Sequence, residues 1–385
     1  MFNDAWQECD FTQRSGTIDC SEEEAVGLWI VIGGQFGSEG KGKVSAHIAL
    51  SEDIDICVRC GGPNSGHSFL TENRSRVLLR QLPTGVVRPA TRLLIPAGGL
   101  VDLAVLHHEI KDFGLDSRRV GVDRNAMILE HADREVETRL GMTERLSSTQ
   151  SGVGSAVARR ALRQTDVRLA RDVKDAWFSK LITDVADECN SALDVEKKVL
   201  IEGTQGFGLS LYHSVHYPKT TARDTSAAGF LSEVGLSPLS ATEIVAVFRT
   251  FPIRVAGLQA GPLKDEIDWD TLQRESGYPS AIREYTSVTN KVRRVARFDW
   301  DLARHTVDRN RPTRIAVMGL DYLDYRDYGK EHFAELTRRS HRFIERFQSE
   351  VGEISYLGTG PALEDCFPLT QGSGLSIDHH HPVSA

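Results

Sequence analysis

The chain has 385 residues, 40% hydrophobic and 26% charged, and its 54 Asp and Glu outnumber 46 Lys and Arg to give a formal charge of −8. That length can bury a sizeable core without disulfide or metal support, and the composition excludes disordered and collagen-like classes. No apolar run reaches the roughly 20 residues of a membrane span, no secretory signal opens the chain, and acidic charge argues against a nucleic-acid partner. Six cysteines without such a signal read as reduced thiols, so a cytoplasmic protein is expected.

Residues 1–25 are polar and acidic, with Glu22-Glu23-Glu24, and read as an extension ahead of one catalytic domain over 26–370, with 371–385 as a tail. Leu28–Ile32 is a short apolar run that predicts a buried parallel strand, and Val44–Leu50 continues as a helix. Similar runs recur at Ile54–Val58, Arg92–Ile95, Val199–Ile201, Ile244–Phe248 and Arg314–Met318. Amphipathic stretches between them, Val101–Phe113, Val173–Leu193 and Lys330–Phe347, predict helices. The alternation predicts an α/β fold: a single large domain on a mainly parallel central sheet.

After the first strand the chain reads Gly33-Gly34-Gln35-Phe36-Gly37-Ser38-Glu39-Gly40-Lys41-Gly42-Lys43. Strand, glycine-rich turn and helix together present backbone N–H groups and a helix N-terminus to phosphate. Gly37, Gly40 and Gly42 let the backbone approach an anion, while Lys41 and Lys43 supply charge. The spacing is not that of the common triphosphate loop, and Gly42 stands where Ser or Thr would hold magnesium.

The loop GQFGSEGKGK resembles the GxxWGDEGKGK signature of the adenylosuccinate synthetase family. Later blocks resemble that family's in order. Cys60-Gly61-Gly62-Pro63-Asn64-Ser65-Gly66-His67-Ser68 is similar to GGxNAGHT. Ser148-Thr149, Gly152-Val153-Gly154 and Ala158-Arg159-Arg160 are similar to TTGRGIGP…ARR. Glu202-Gly203-Thr204-Gln205-Gly206 resembles EGAQG, and Tyr217-Pro218 through Thr225-Ser226-Ala227 resembles YPYVTSSNTTA. Val288-Thr289-Asn290-Lys291-Val292-Arg293-Arg294 resembles the aspartate loop TTGRxRR, and Gly358-Thr359-Gly360-Pro361 resembles STGP. The blocks span residues 28 to 361.

The resemblance implies a homodimeric, magnesium-dependent ligase. A nucleoside triphosphate phosphorylates the 6-oxygen of a purine mononucleotide, and the amine of L-aspartate then displaces phosphate. Carried over by motif position, His67 is the general acid at the 6-oxygen, and Ser38 and Lys41 complete the catalytic set. The triphosphate falls to Ser38, Glu39, Gly40, Lys41, Gly42, Lys43, Arg294, Asp321, Thr359, Gly360 and Pro361. The mononucleotide falls to Ser38, Asn64, Ser148, Thr149, Gln205 and Thr221, with Arg159 reaching the neighbouring subunit's nucleotide. L-aspartate falls to Thr289, Asn290, Lys291, Val292 and Arg293. Magnesium takes the Ser38 hydroxyl and the Gly66 carbonyl, in keeping with its preference for hard oxygen.

Two departures from the family pattern carry information. The family Asp that takes the purine N1 proton is Ser38 here, and serine is no such base unaided. One reading is a dead enzyme, and the other is a changed substrate. A shorter, uncharged side chain near N1 leaves room for a 2-amino group, which matches a phage branch of the family that uses dGMP to make N6-succino-2-amino-2′-deoxyadenylate for diaminopurine DNA. Ordinary adenylosuccinate synthesis from IMP and GTP, and a non-catalytic nucleotide-binding relative, are the alternatives. Ser38 acting through water, Glu39, and the bound aspartate are the candidates for the missing base. In the second departure, Gly319 replaces the Lys of the family's TKLD block ahead of Asp321, which makes ATP or dATP the expected donor. Asp224 also stands where the family has Asn, and Val292 where an Arg is frequent.

Three other features invite a metal reading that the sequence does not support. Cys57 and Cys60 form one C-x-x-C without a second pair and read as core thiols. His107-His108 lie in a predicted helix, and His379-His380-His381 are set aside as a tail. Residues 283–314 hold nine Lys/Arg against four acids, a basic excess expected to meet small anions.

Overall fold

The computed structural model describes residues 27–71, 73–286 and 290–369. The predicted extension over 1–25, Thr289, and the tail with His379-His380-His381 lie outside the described residues.

Ten strands form the main sheet: β1 (Leu28–Gly33), β2 (Ile56–Arg59), β3 (Arg92–Ile95), β4 (Val120–Asp123), β5 (Ile182–Thr183), β6 (Val199–Glu202), β7 (Ala241–Arg249), β8 (Arg314–Met318), β9 (Tyr356–Gly358) and β10 (Cys366–Pro368). Their order across the sheet is β10-β9-β8-β7-β1-β6-β2-β3-β4-β5. Neighbours run parallel throughout, except the antiparallel pair β9 and β10. The mainly parallel sheet and single domain are as the sequence predicts.

Parallel strands covered on both faces are apolar on both faces, and β1 shows why. Leu28, Ile30 and Ile32 enter one core, and Trp29 and Val31 enter the other. Helices α1 (Lys41–Ser51) and α2 (Leu103–Asp112) close the second core through Val44, Ile48 and Leu106. Helices α4 (Val185–Leu193) and α6 (Arg338–Glu350) help close the first through Val185, Cys189, Ile344 and Phe347. In sequence, α3 (Val153–Ala161) lies between α2 and α4, and α5 (Trp300–Asn310) between α4 and α6.

Two predicted helices are interrupted. Val173–Leu193 divides into a single turn at Ala176–Ser179, strand β5 and then α4. Ile182 pairs with Val122 at the sheet edge, and the Asp184 side chain accepts from Asp187 N at 3.1 Å to start α4. Lys330–Phe347 yields a single 3₁₀ turn at Phe333–Glu335 and an α-helix only from Arg338. Buried Asp327 accepts from Thr337 N at 2.7 Å and Thr337 Oγ1 at 2.8 Å, which pins the chain just before that helix.

Cys57 and Cys60 are fully buried, and burial pushes both thiols up, as expected of core residues. Among the described residues no helix is long and apolar enough to cross a membrane, and no group of three metal-ligating side chains gathers.

Candidate active site

Ligands of parallel α/β sheets bind beyond the carboxyl ends of the strands. The phosphate loop follows β1 at that edge, Arg59 ends β2, Glu202 ends β6, Arg249 ends β7, and Asp321 and Gly360 lie just past β8 and β9.

Glu39 shapes the phosphate loop from inside. Its Oε1 accepts from Gln35 N at 3.0 Å and Gly37 N at 2.7 Å, and its Oε2 pairs with Lys41 Nζ at 2.6 Å. Both side chains are 1% exposed. Lys41 also donates to Gly37 O at 3.3 Å, so it stands beneath the loop, not on a cavity wall. This corrects two expectations. The Lys41 amine is committed to the loop, and Glu39 has no free oxygen to serve as the purine N1 base. Lys43 instead donates to Gly360 O at 2.6 Å, and burial lowers its pKa.

Strand register assembles a second cluster. Val31 of β1 and Arg59 of β2 both lie opposite Glu202 of β6, which brings Arg59 and Glu202 together. Arg59 Nη1 donates to Glu202 Oε1 at 2.7 Å, and His67 Nδ1 bonds the same oxygen. Thr84 N donates to Glu202 Oε2 at 2.7 Å. His67 is 5% exposed, its Nε2 has no hydrogen-bond partner, and it adjoins Gly66 on the cavity wall.

Burial pushes the His67 imidazole down from 6.5 to about 4; Arg59 adds to the shift and Glu202 opposes it. Burial alone would raise Glu202, yet His67, Arg59 and Thr84 outweigh it and hold the carboxyl at about 2. Both shifts have one sign: in acid the folded state binds fewer protons than the unfolded chain. Stability is therefore expected to fall as pH drops from 6.5 through 4 because of His67, and from 4.5 toward 2 because of Glu202. Thermal melts at stepped pH check this, and His67→Gln should flatten the profile between 6.5 and 4. An unchanged slope there would contradict the assignment.

A cavity of about 360 Å³ opens beside the loop. Ser38, Asn64, Gly66, Ser148, Thr149, Gln205, Lys291 and Arg293 line it together, and none of its lining residues is acidic. A smaller recess of about 150 Å³ shares Asn64, Ser148, Thr149 and Gln205 and adds Thr221. Gln205 holds φ +65, a strained backbone for a residue with a side chain and common at functional sites.

On the other side of the loop lies a cavity of about 530 Å³, lined by Glu39, Gly40, Lys43, Asp321, Gly360 and Pro361 among others. Arg293 lines both of these cavities. Its Nη1 donates to Ser38 Oγ at 2.9 Å and lies 3.7 Å from Glu284 Oε2. Glu284 also bonds Arg249 Nη2 and accepts from Tyr322 OH at 2.9 Å. Burial raises the Asp321 carboxyl to about 6, and Tyr278 OH donates to it.

Other expected residues lie elsewhere. Arg294 pairs with Glu266, Nε to Oε1 at 2.8 Å, and donates to Gly261 O at 2.8 Å, so Arg293 alone of this pair reaches the loop. The Thr359 hydroxyl donates to Lys330 O at 2.7 Å, which turns it away from the large cavity. Arg159, on α3, pairs with Asp133 at 3.0 Å and Asp166 at 3.1 Å. Asn290 and Val292 are exposed and line neither large cavity. Asp224 faces inward, where Ser210 Oγ at 2.8 Å and Thr225 N at 2.7 Å donate to it.

The basic excess at 283–314 is largely neutralised. Arg283 pairs with Asp270, Arg297 with Glu275, Arg304 with Asp301, and Arg314 with Glu243. Lys291 and Arg293 are its members on the 360 Å³ cavity. Sequence reasoning missed Arg59, Glu202, Arg249 and Glu284 as site residues. The signal for the first two was a charged residue closing an otherwise apolar strand.

Magnesium suits the donor set. The Ser38 hydroxyl and Gly66 face one cavity, and Ser38 Oγ keeps a lone pair beyond the one Arg293 uses. A metal that keeps water and phosphate oxygens needs few protein ligands.

A backbone cradle for phosphate between two nucleotide-sized cavities is the arrangement of an enzyme that moves phosphoryl groups between nucleotides. The family model described as adenylosuccinate synthetase matches residues 30–180 and 172–330. The adenylosuccinate synthetase of Thermococcus sibiricus is 38% identical over 89% of this chain and 98% of its own. That of Pyrococcus sp. (strain ST700) is 39% identical over 87% and 96%. Among solved structures, the succinoaminodeoxyadenylate synthetase of cyanophage S-2L, bound to dGMP and dATP as an energy donor, has a TM-score of 0.75 at 25% identity. It covers 90% of this chain and 96% of that one. The fully ligated adenylosuccinate synthetase of Plasmodium falciparum shares the fold, with a TM-score of 0.76 at 21% identity over 89% and 100%. The chain belongs to the adenylosuccinate synthetase family. It is a carbon–nitrogen ligase that joins aspartate to a purine nucleotide.

Proposed function

We propose that the ligase joins L-aspartate to the 6-position of dGMP, with ATP or dATP as donor, to give N6-succino-2-amino-2′-deoxyadenylate for diaminopurine DNA in a phage. The observation that carries this reading is the 360 Å³ cavity, whose wall carries no acid among the described residues and where Ser38 is bonded to Arg293. A carboxylate at position 38 would project toward N1 and C2 of a bound purine; a serine leaves space for the 2-amino group. The likeness to the cyanophage enzyme supports the same choice.

As the N1 proton leaves, through water at Ser38 or to the bound aspartate, the purine 6-oxygen attacks the γ-phosphorus; the new O–P bond forms as the bond to the departing diphosphate breaks. The aspartate amine then attacks C6, and the C–O bond breaks to release phosphate. Backbone N–H groups of the loop and Lys43 neutralise charge that spreads over the phosphoryl oxygens. Ser38 Oγ and the Gly66 carbonyl would hold magnesium, which would supply further neutralisation of that charge. Negative charge arriving beside His67 raises its pKa from about 4, so Nε2 gains a proton as nucleotide binds. Glu202 orients the ring and stabilises its charged form. Lys291 and Arg293 supply the positive charge for the aspartate carboxylates. The same reading makes the working unit a homodimer in which Arg159 serves the neighbouring subunit's nucleotide, which sedimentation and an Arg159→Ala assay address.

The archaeal relatives and the retained Asp321 favour a second reading, IMP with GTP. A phosphate-release assay that crosses dGMP, GMP, IMP and dIMP with ATP and GTP separates the two. Turnover of IMP with GTP and none of dGMP would refute the dGMP reading. Ser38→Asp is expected to lower kcat/KM for dGMP about 100-fold, because it fills the space and pairs with Arg293. An unchanged rate would refute the steric argument.

A further inference from the structure

We propose that Tyr278 selects the donor base: by bonding Asp321 it withdraws one carboxylate oxygen and favours adenine over guanine. This rests on reading the 530 Å³ cavity as the donor-base pocket.

Three acids line that cavity, Glu39, Glu284 and Asp321. Glu39 is committed to Lys41 and two loop amides, and Glu284 to Arg249 and Tyr322. Asp321 is therefore the acid left to read a base, and Tyr278 OH donates to its Oδ2. Guanine presents two adjacent donors, N1–H and the 2-amino group, which ask for both oxygens of one carboxylate. Adenine presents one donor, the 6-amino group, beside an N1 acceptor, and one oxygen suffices. The tyrosine is held in place. Gly277, at φ +76, ends the helix Trp269–Ser276 directly before it, and the rings of Tyr322 and Tyr325 pack on it at 5.7 and 4.5 Å. Guanine's second donor would have to share Oδ2 with the tyrosine hydroxyl or displace it.

The test is calorimetric titration of the purified chain with magnesium and the non-hydrolysable analogues AMP-PNP and GMP-PNP, which needs no knowledge of the mononucleotide. The wild type is expected to prefer AMP-PNP. Tyr278→Phe should shift the ratio of the two dissociation constants about tenfold toward GMP-PNP, the size of one buried hydrogen bond to a charged group. Adding Asp321→Asn should abolish that shift. If the Phe variant does not fold, Tyr278→Met removes the hydroxyl while keeping an apolar side chain. An unmoved ratio, a shift that survives Asp321→Asn, or a wild type that prefers GMP-PNP overturns the assignment of Tyr278 and leaves the pocket standing. Failure of both analogues to bind the wild type overturns the pocket reading and the inference with it.

Discussion

Glu202→Gln should cut turnover by about 100-fold or more, the scale of a general acid's contribution. The carboxylate sits among Arg59, His67 and Thr84 with no exposed surface. Glutamine keeps its shape, but an amide nitrogen must then face one of those donors. It also removes the charge that would support a protonated His67. Binding of nucleotides should change far less than turnover, since Glu202 lines neither large cavity. Glu202→Ala should be harsher, because it leaves the Arg59 guanidinium buried, with one partner fewer. Breaking a buried pair in this way costs about 3–5 kcal/mol of stability. Initial-rate kinetics and urea unfolding of both variants measure the two effects. A Gln variant with raised KM and intact kcat would show that Glu202 does not act through His67.

Gly42→Ala is expected to damage the same histidine from the opposite side. A Cβ on Gly42 would stand 2.6 Å from the His67 Cβ and 3.3 Å from its Cα. Those atoms belong to the start of the strand His67–Leu70 and do not swing aside like the end of a long side chain. Overpacking of this kind costs about 1–3 kcal/mol, and a shift of about 1 Å at a catalytic group costs roughly 100-fold in rate. Activity should therefore fall steeply while the melting temperature falls modestly. The position also explains the departure from the common triphosphate loop: a hydroxyl residue there would occupy the place where helix α1 meets His67. Full activity in Gly42→Ala would show that the two backbones separate freely.

Much of the fold was legible because its strands are buried on both faces. β1, β6, β7 and β8 are near-continuous apolar runs, and such runs need no knowledge of partners. The Val173–Leu193 stretch was misread because its period runs across Asp184, whose capping role depends on a sheet edge formed by Val122, some sixty residues earlier. The phosphate loop, Asn64, Ser148, Thr149 and Gln205 were legible from ordered motifs, and the fold brings them to one cavity. What motifs could not show is where a charged side chain is consumed. Lys41 and Arg294 look like anion ligands in sequence, yet Glu39 and Glu266 hold them. Arg59 and Glu202, which are 143 residues apart, become partners only through strand register.

One side chain, Arg293, forms part of both cavities beside the phosphate loop and bonds Ser38 of that loop. Whatever position it takes for one occupant is the position the other must meet. On the proposed reading of these cavities as mononucleotide and donor sites, their occupancies are linked: the factor by which the donor tightens the mononucleotide equals the factor by which the mononucleotide tightens the donor. Affinity measured for either alone leaves out that shared factor, and measurements with both present contain it.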